Sequence, residues 1–447
     1  MQKYETLFTR KSLIYLIIPL FIEQFLAIFI GMVDTIMVSG ISENAVSAIS
    51  LVDSINVLFI QLFSALATGG AVVVAQYLGR NKKNDAENAS KQLVYVTLYI
   101  SLIVGLISCI FCPNILSLCF GEIESKTMEY ARSYYFISAL SYPALAIYNS
   151  GAALLRAKRD SKMSMYISVV MNLINVGFNA LFIYVCNMEV VGAAIASLIA
   201  RVTGAVIISF VLCRKTQSLR IHRPFKPQTD LFMMKRILAQ GIPNGLENSM
   251  FQIGKIMVAG IVAMFSTSII AANAVGFQLA TFANLPGNSI NMAIITVVGQ
   301  CIGAGEKSQA KKYSKQLMIT CMILMAVANI TIMFFCDELG MLYNLSHEGM
   351  VALNEIMQLF CVSAAIWWAT SFTLPNILRA AGDAKYTMIV SSFSMWIFRV
   401  GFSYIFVYLF NWGLMGVWIA MVLDWVVRSI FFALRFKSGK WLEKSAI

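Results

Sequence analysis

Twelve apolar segments, each long enough to cross a bilayer, recur along the chain, and they restrict its possible folds more than any other feature. Crossing the hydrocarbon takes about 20 apolar residues of helix. Segments of that length lie near 13–39, 47–77, 88–112, 127–154, 163–186 and 190–213. Six more lie near 233–264, 270–302, 314–336, 350–378, 386–410 and 414–436. Backbone groups in lipid must bond within their own segment, and the ten-residue alternation of barrel strands is absent, so an all-α membrane protein with twelve transmembrane helices is expected. Only 13% of the residues are charged, against about a quarter in soluble domains. Met1 to Ser12 carries Lys3, Arg10 and Lys11 ahead of an apolar run too long for a signal peptide, so the first helix is expected to stay in the membrane. The nine cysteines mostly sit singly inside apolar stretches, and the close pair Cys109 and Cys112 lacks the second pair or histidine cluster of a metal site, so all read as packing residues.

The net charge of +12 does not point to nucleic acid, because the cations sit in short connections between apolar runs. One set of connections holds Arg80, Lys82, Lys83; Arg156, Lys158, Arg159, Lys162; Arg214, Lys215, Arg220, Arg223, Lys226; Lys307, Lys311, Lys312; and Arg379, Lys385. The alternate set contributes only Lys126. By the positive-inside rule both termini are expected in the cytoplasm, which an even number of spans requires. The expected location is a bacterial inner membrane.

The chain also repeats itself. Gln76, Gly79, Ala86 and the run Ser90, Lys91, Gln92 recur 224 positions later as Gln300, Gly303, Ala310 and Ser314, Lys315, Gln316. Arg156, Ala157, Asp160 and Lys162 recur as Arg379, Ala380, Asp383 and Lys385, and Asn187, Gly192, Ile195, Ala196 as Asn411, Gly416, Ile419, Ala420. Two halves are therefore expected, 1–220 and 221–447, joined by the basic linker Arg214 to Lys235. Six helices each give them the same orientation, a parallel repeat of the kind found in transporters.

The motifs IPLFIEQFLAIFIGMVDTIMVSG (Ile18 to Gly40), GGAVVVAQYLGR (Gly69 to Arg80), GIPNGLENSMFQIGK (Gly241 to Lys255), VVGQCIGAGE (Val297 to Glu306) and LRAAGDAK (Leu378 to Lys385) resemble those of the multidrug and toxic compound extrusion (MATE) family over essentially the whole chain. The resemblance implies two pseudo-symmetric six-helix lobes and export of small organic, often cationic, compounds in exchange for H⁺ or Na⁺. It implies no cofactor and no enzyme activity; a monomer in the lipid bilayer is expected.

Candidate residues follow from the cost of a charge in hydrocarbon, roughly 2.5 to 3.5 kcal/mol on insertion scales. Asp34 lies late in the first span with no adjacent Lys or Arg. Desolvation brings such a carboxylate nearer to its protonated form, which suits a group that takes a proton on one side and releases it on the other. Asn172, Asn175 and Asn179 are spaced by three and four, which puts their amides on one helical face. The resemblance assigns a cation site to Asp34, Asn175, Asn179 and Ser197, with a possible Na⁺ there; several relatives have aspartate at the Asn179 position, and its absence here favours H⁺.

Glu247, with Asn172, Gln278 and Trp367, is expected to line a substrate cavity, with Lys255 as a possible water-bridged partner of Glu247. Glu23, Asp53 and Thr35 are lesser candidates, and Asp424 with Arg428, at i and i+4, reads as a structural ion pair. Two alternatives remain. A lipid-linked oligosaccharide flippase of the same superfamily would need a large cationic groove. A membrane-embedded transferase would need a catalytic cluster, yet the only histidines, His222 and His347, fall in opposite-side loops and no P-loop or HExxH motif occurs.

Overall fold

Each apolar segment folds as a helix that stops where a polar turn, a proline or a left-handed residue interrupts it. The structure is a computed structural model that describes residues 6–121, 124–214 and 229–447. Among the described residues there is no strand. The first half contains α1 (Arg10–Ser39), α2 (Glu43–Gly79), α3 (Lys83–Ile110), α4 (Cys112–Phe120), α5 (Ser125–Leu140), α6 (Tyr142–Ala157), α7 (Ser161–Ala180), which runs on through a π turn at Leu181–Val185, and α8 (Glu189–Cys213). The second contains α9 (Leu231–Val262), α10 (Thr267–Ala283), α11 (Leu285–Gly303), α12 (Lys307–Phe334), α13 (Cys336–Met341), α14 (His347–Ser363), a π stretch Ala364–Thr373, α15 (Leu374–Ala380) and α16 (Ala384–Ser394). It ends with a π turn Met395–Gly401, α17 (Phe402–Tyr404), a second π turn Ile405–Leu409 and α18 (Gly413–Lys437).

Ten of these stretches are long and apolar enough to cross a membrane, and all twelve expected spans fall on helix. The fourth expected span is divided at Ser141, just before Pro143, and the eighth at Asn284, just before Pro286. A proline there lacks the N–H that an uninterrupted helix would use. The seventh, α9, carries Lys235, Arg236, Glu247 and Lys255. Outward faces such as Ile319, Ile323, Val327 and Ile330 on α12 are exposed and apolar at helical spacing, as lipid-facing surfaces must be. The protein is a multi-pass helical membrane protein.

The chain forms two compact units, Ile14–Gly245 and Leu246–Ile447, the latter joined by the start of the chain up to Leu13. The expected boundary at 220/221 lies outside the described residues, as do Lys215, Arg220, His222, Arg223 and Lys226. Residues from the beginning of α9 to Gly245 pack with the first unit. Their place is set by a close crossing within that unit: a Cβ on Gly69 of α2 would come within 2.5 Å of the Gly241 backbone. Any larger residue at Gly69 would force the two helices apart.

The repeat read from side chains holds in the backbone as well. Helix α2, 43–79, is matched by the α10–α11 pair, 267–303; α3, 83–110, by α12, 307–334; and α8, 189–213, by α18, 413–437, each a shift of 224. Left-handed residues recur in the same way: Asn81 with Gly305, Gly121 with Asn344, Arg159 with Gly382, Asn187 with Asn411 and Glu189 with Gly413. Between the starts of α7 (161) and α16 (384) the shift is 223, whereas the π turns at 181 and 405 are 224 apart. The π turn Met395–Gly401 lies in that interval and accounts for the additional residue, since a π turn is one residue wider than an α turn.

Candidate functional site

Helix α1 contains Pro19 in its first half and runs unbroken to Ser39, so Asp34 lies little more than one turn from its end. The side chain is partly buried and faces α7. Asn179 donates to Asp34 Oδ1 at 2.9 Å. Asn175 lies one turn earlier, with its amide against both carboxylate oxygens. With the nitrogen turned toward Asp34 it donates at 3.1 and 2.7 Å, and its oxygen accepts from Ser197 Oγ of α8 at 3.2 Å. Asp34, Asn175, Asn179 and Ser197 thus form one connected cluster inside the first unit. The i, i+4 spacing of the asparagines makes this possible, because it stacks both amides on one face. Hydrogen bonds to a charged acceptor contribute about 1.5–3 kcal/mol each when buried.

Asn172 is not part of this network: its side chain is half-buried and makes no hydrogen bond among the described residues. Thr35 donates to the Gly31 carbonyl of its own helix at 2.9 Å.

A second polar network adjoins the first. Asp53 of α2 accepts from Asn56 Nδ2 at 3.1 Å and from the Tyr134 hydroxyl at 3.4 Å. Tyr142 donates to Asn56 Oδ1 at 2.8 Å, and Arg201 of α8 donates to Ser141 Oγ at 2.6 Å. Asp53 stands close enough to Asp34 for their charges to repel, and close enough to Arg201 for attraction. Asn56, Tyr134 and Tyr142 escape sequence reading because their partners lie 81 to 86 residues away or one helical turn back, with no motif around them.

Glu247 has a partner that sequence reasoning did not give it. In the second unit it is buried and paired with Arg379 at the end of α15, not with Lys255. Arg379 also reaches Thr387 Oγ1 at 3.3 Å. The first unit repeats the arrangement: Glu23 is buried 3.6 Å from Arg156 and accepts from Ser164 Oγ at 3.2 Å. Each member is 223 or 224 residues from its counterpart. The signal was present in the chain as Pro19 and Glu23 against Pro243 and Glu247. Arg379 engages one oxygen of Glu247, and the other, Oε2, is buried without a hydrogen bond among the described residues.

The core of the second unit holds another charged group. Asp424 receives Ser394 Oγ at 2.6 Å and faces Arg428 Nε at 3.1 Å, as the i, i+4 spacing leads one to expect. Arg399, within the π turn, lies with its guanidinium 5.3 Å from the centre of the Phe251 ring; Arg428 is 5.4 Å from the rings of both Phe251 and Phe372. Gln278 on α10 and Trp367 in the π stretch are half-buried, and neither side chain makes a hydrogen bond among the described residues.

The family model MatE matches residues 19–181 and 243–405, two stretches again 224 apart. The chain is 26% identical to the probable multidrug resistance protein NorM of Thermotoga maritima, over 98% of this chain and 94% of that protein. It is 25% identical to the uncharacterized transporter YisQ of Bacillus subtilis, over 97% and 95%. Among solved structures, an outward-facing conformation of a multidrug resistance MATE family transporter matches with a TM-score of 0.90 and 21% identity, over 97% of each chain.

Proposed function

The chain belongs to the MatE family, and from that premise we propose that it is a secondary active exporter of small organic compounds, cations among them, driven by cation entry at Asp34. It works in a cell inner membrane as a single chain with both termini in the cytoplasm. The observation that carries this reading is the cluster of Asp34, Asn175, Asn179 and Ser197, an ionisable group in a span with a complete set of neutral hydrogen-bonding partners and no directly paired cation.

H⁺ suits the cluster better than Na⁺. Asn175 satisfies an ionised Asp34 with its nitrogen, and a protonated Asp34 with its oxygen, which lies within the same reach when the amide turns over. Loading a proton therefore requires one amide reversal and a hydroxyl rotation at Ser197. A Na⁺ ion needs several oxygen ligands, whereas Asn179 points an N–H at the same carboxylate. Protonation removes the charge that holds the Asn175 and Asn179 donors, loosening α1 from α7. That is the local event on which substrate release depends.

The driving force is adequate. One proton entering down 100 mV and one pH unit supplies about 2.3 plus 1.4 kcal/mol, enough for a gradient of several hundredfold in a neutral substrate. A monovalent cation exchanged for one H⁺ loses the voltage contribution and reaches about tenfold, while a monoanion gains it twice and reaches about ten-thousandfold.

Ethidium and fluorescein efflux from cells expressing the wild type or Asp34→Asn, with H⁺ and Na⁺ gradients imposed separately, tests this. Efflux of at least one dye should follow the H⁺ gradient and disappear in Asp34→Asn at normal protein level. An unimpaired variant, or indifference to both gradients, removes Asp34 as the coupling site.

A further inference from the structure

We propose that the second unit carries a binding site for the anionic group of an aromatic or otherwise apolar organic compound, formed by Arg399, Arg428 and Lys255 around the rings of Phe251 and Phe372. Three cations meet one carboxylate there. Asp424 is committed to Arg428 and Ser394. Arg399 is 5% exposed, and its guanidinium makes no hydrogen bond or salt bridge among the described residues; its Nε is buried with no partner. Its guanidinium lies over the face of Phe251, within electrostatic reach of Asp424 and Arg428. Lys255, one turn beyond Phe251 on the same side of α9, is near enough to Arg399 for the two charges to repel, and it is exposed. Asp424 attracts Arg399 but is bonded to Arg428 and Ser394, and a guanidinium removed from water with no hydrogen-bonded anion of its own is destabilising, more so with two like charges near it. The fold retains this arrangement, and a ligand that brings a carboxylate, sulfonate or phosphate would resolve it with paired charge-assisted hydrogen bonds to the planar fork.

Three further features fit a site. Phe251 and Phe372 are only half-buried, so a flat apolar body can lie against them beside the cations. Their rings are 6.4 Å apart and perpendicular, a corner and not a closed stack. Arg399 sits in the π turn Met395–Gly401, whose additional residue sets it at the position matching Asn175 in the first unit, 224 residues earlier. Single π turns of this kind are frequent at functional sites. The second unit therefore presents a guanidinium at the register where the first presents an amide to Asp34. As cargo, the bound anion rests on the exporter reading; as a ligand, it does not.

The test uses full-length protein in phosphatidylcholine nanodiscs, with fluorescein as the anionic probe and ethidium as the cationic one, read by anisotropy. Fluorescein affinity should fall tenfold or more in Arg399→Gln, recover in part in Arg399→Lys, and fall about threefold in Lys255→Gln, while ethidium binding is unchanged or tighter. Lys255 is exposed, so its variant keeps the test alive if Arg399→Gln fails to fold.

Equal fluorescein affinity in wild type, Arg399→Gln and Lys255→Gln overturns the proposal, as does displacement of fluorescein by phosphatidylglycerol in the disc, which would make the site a lipid headgroup pocket. Fluorescein that binds as described while neither dye is moved by any gradient removes the exporter reading and leaves the site. Ethidium efflux that follows the H⁺ gradient while fluorescein does not bind removes the site and leaves the exporter.

Discussion

The two units share a backbone nearly residue for residue, yet the charges that their spans carry beyond the shared pairs differ in sign. The first holds Asp34 and Asp53 with Arg201 nearby; the second holds Asp424 with Arg428, Arg399 and Lys255. The matching positions are unrelated: Asp34 falls on Val258, Asp53 on Phe277, Asn175 on Arg399 and Arg428 on Gly204. By contrast the Glu23–Arg156 and Glu247–Arg379 pairs, and the left-handed corners, are kept in both. The shared features fix where helices end and how they are tied to their loops. What differs lies mid-helix, where a side chain can change without moving the frame, and there the two units have taken different chemistry.

The largest expected effect tests what is shared. Removing Glu23 or Glu247 as alanine leaves Arg156 or Arg379 buried without its carboxylate, which costs about 3–5 kcal/mol. Chemical unfolding in detergent should give similar losses for the two variants. If Glu247→Ala is stable but transports poorly, the parity fails, and Glu247 serves the substrate after all.

Next come the corners. Gly382→Ala should destabilise by about 1–3 kcal/mol, because the φ is +98° and the new Cβ would lie 2.8 Å from the backbone of Ser445 and Ala446. Arg159 occupies the equivalent corner at φ 70°. Arg159→Gly relieves that backbone strain, so its effect should be smaller than that of Gly382→Ala, within about 1 kcal/mol of the wild type. Thermal midpoints measured side by side decide it; a larger loss in Arg159→Gly would mean that its side chain holds something its counterpart lacks.

The smallest effect separates two helix starts. Thr9 caps α1 with a neutral hydroxyl, accepting from the Ser12 N–H at 3.1 Å. Asp230 caps α9, accepting from the Phe232 and Met233 N–H groups at 3.1 Å and from Asn88 at 2.8 Å. The backbone N–H of Met233 and the amide of Asn88 hold the Asp230 carboxyl below its ordinary value. Its stabilisation is then complete above the unfolded value near 3.9 and lost as pH falls through the lower folded one. Either cap replaced by alanine should cost about 1 kcal/mol at pH 7. The Asp230→Ala loss should shrink progressively below about pH 4 in a denaturant titration, while the Thr9→Ala loss stays constant. A pH-independent Asp230→Ala loss would show that the charge does not matter.

Much of this architecture is legible in the chain, because hydrocarbon leaves so few options. The spans follow from apolar length, and the repeat from matched residues at 224. The Asp34 cluster is legible too: the asparagine spacing gives the face, and the family motif gives Ser197. The Glu–Arg pairs were not read, although their repetition in the sequence marked them, because an arginine 132 or more residues away at the end of another helix gives no local sign of reaching this carboxylate. The π turns could not be read at all. They arise where packing, not composition, asks for one residue more than the ladder needs.

That surplus residue near Arg399 behaves like a dislocation in a lattice. A helix that holds one residue too many can carry the defect at neighbouring positions without changing either end. Each step of its glide turns the side chains it passes by about 100°, the angle per residue of an α-helix. The corner at Asn411 and the start of α16 at Ala384 would keep their partners while Arg399 swings between them. In mechanical terms the surplus residue sets the direction of a charge inside a frame whose two ends stay in register with the other unit.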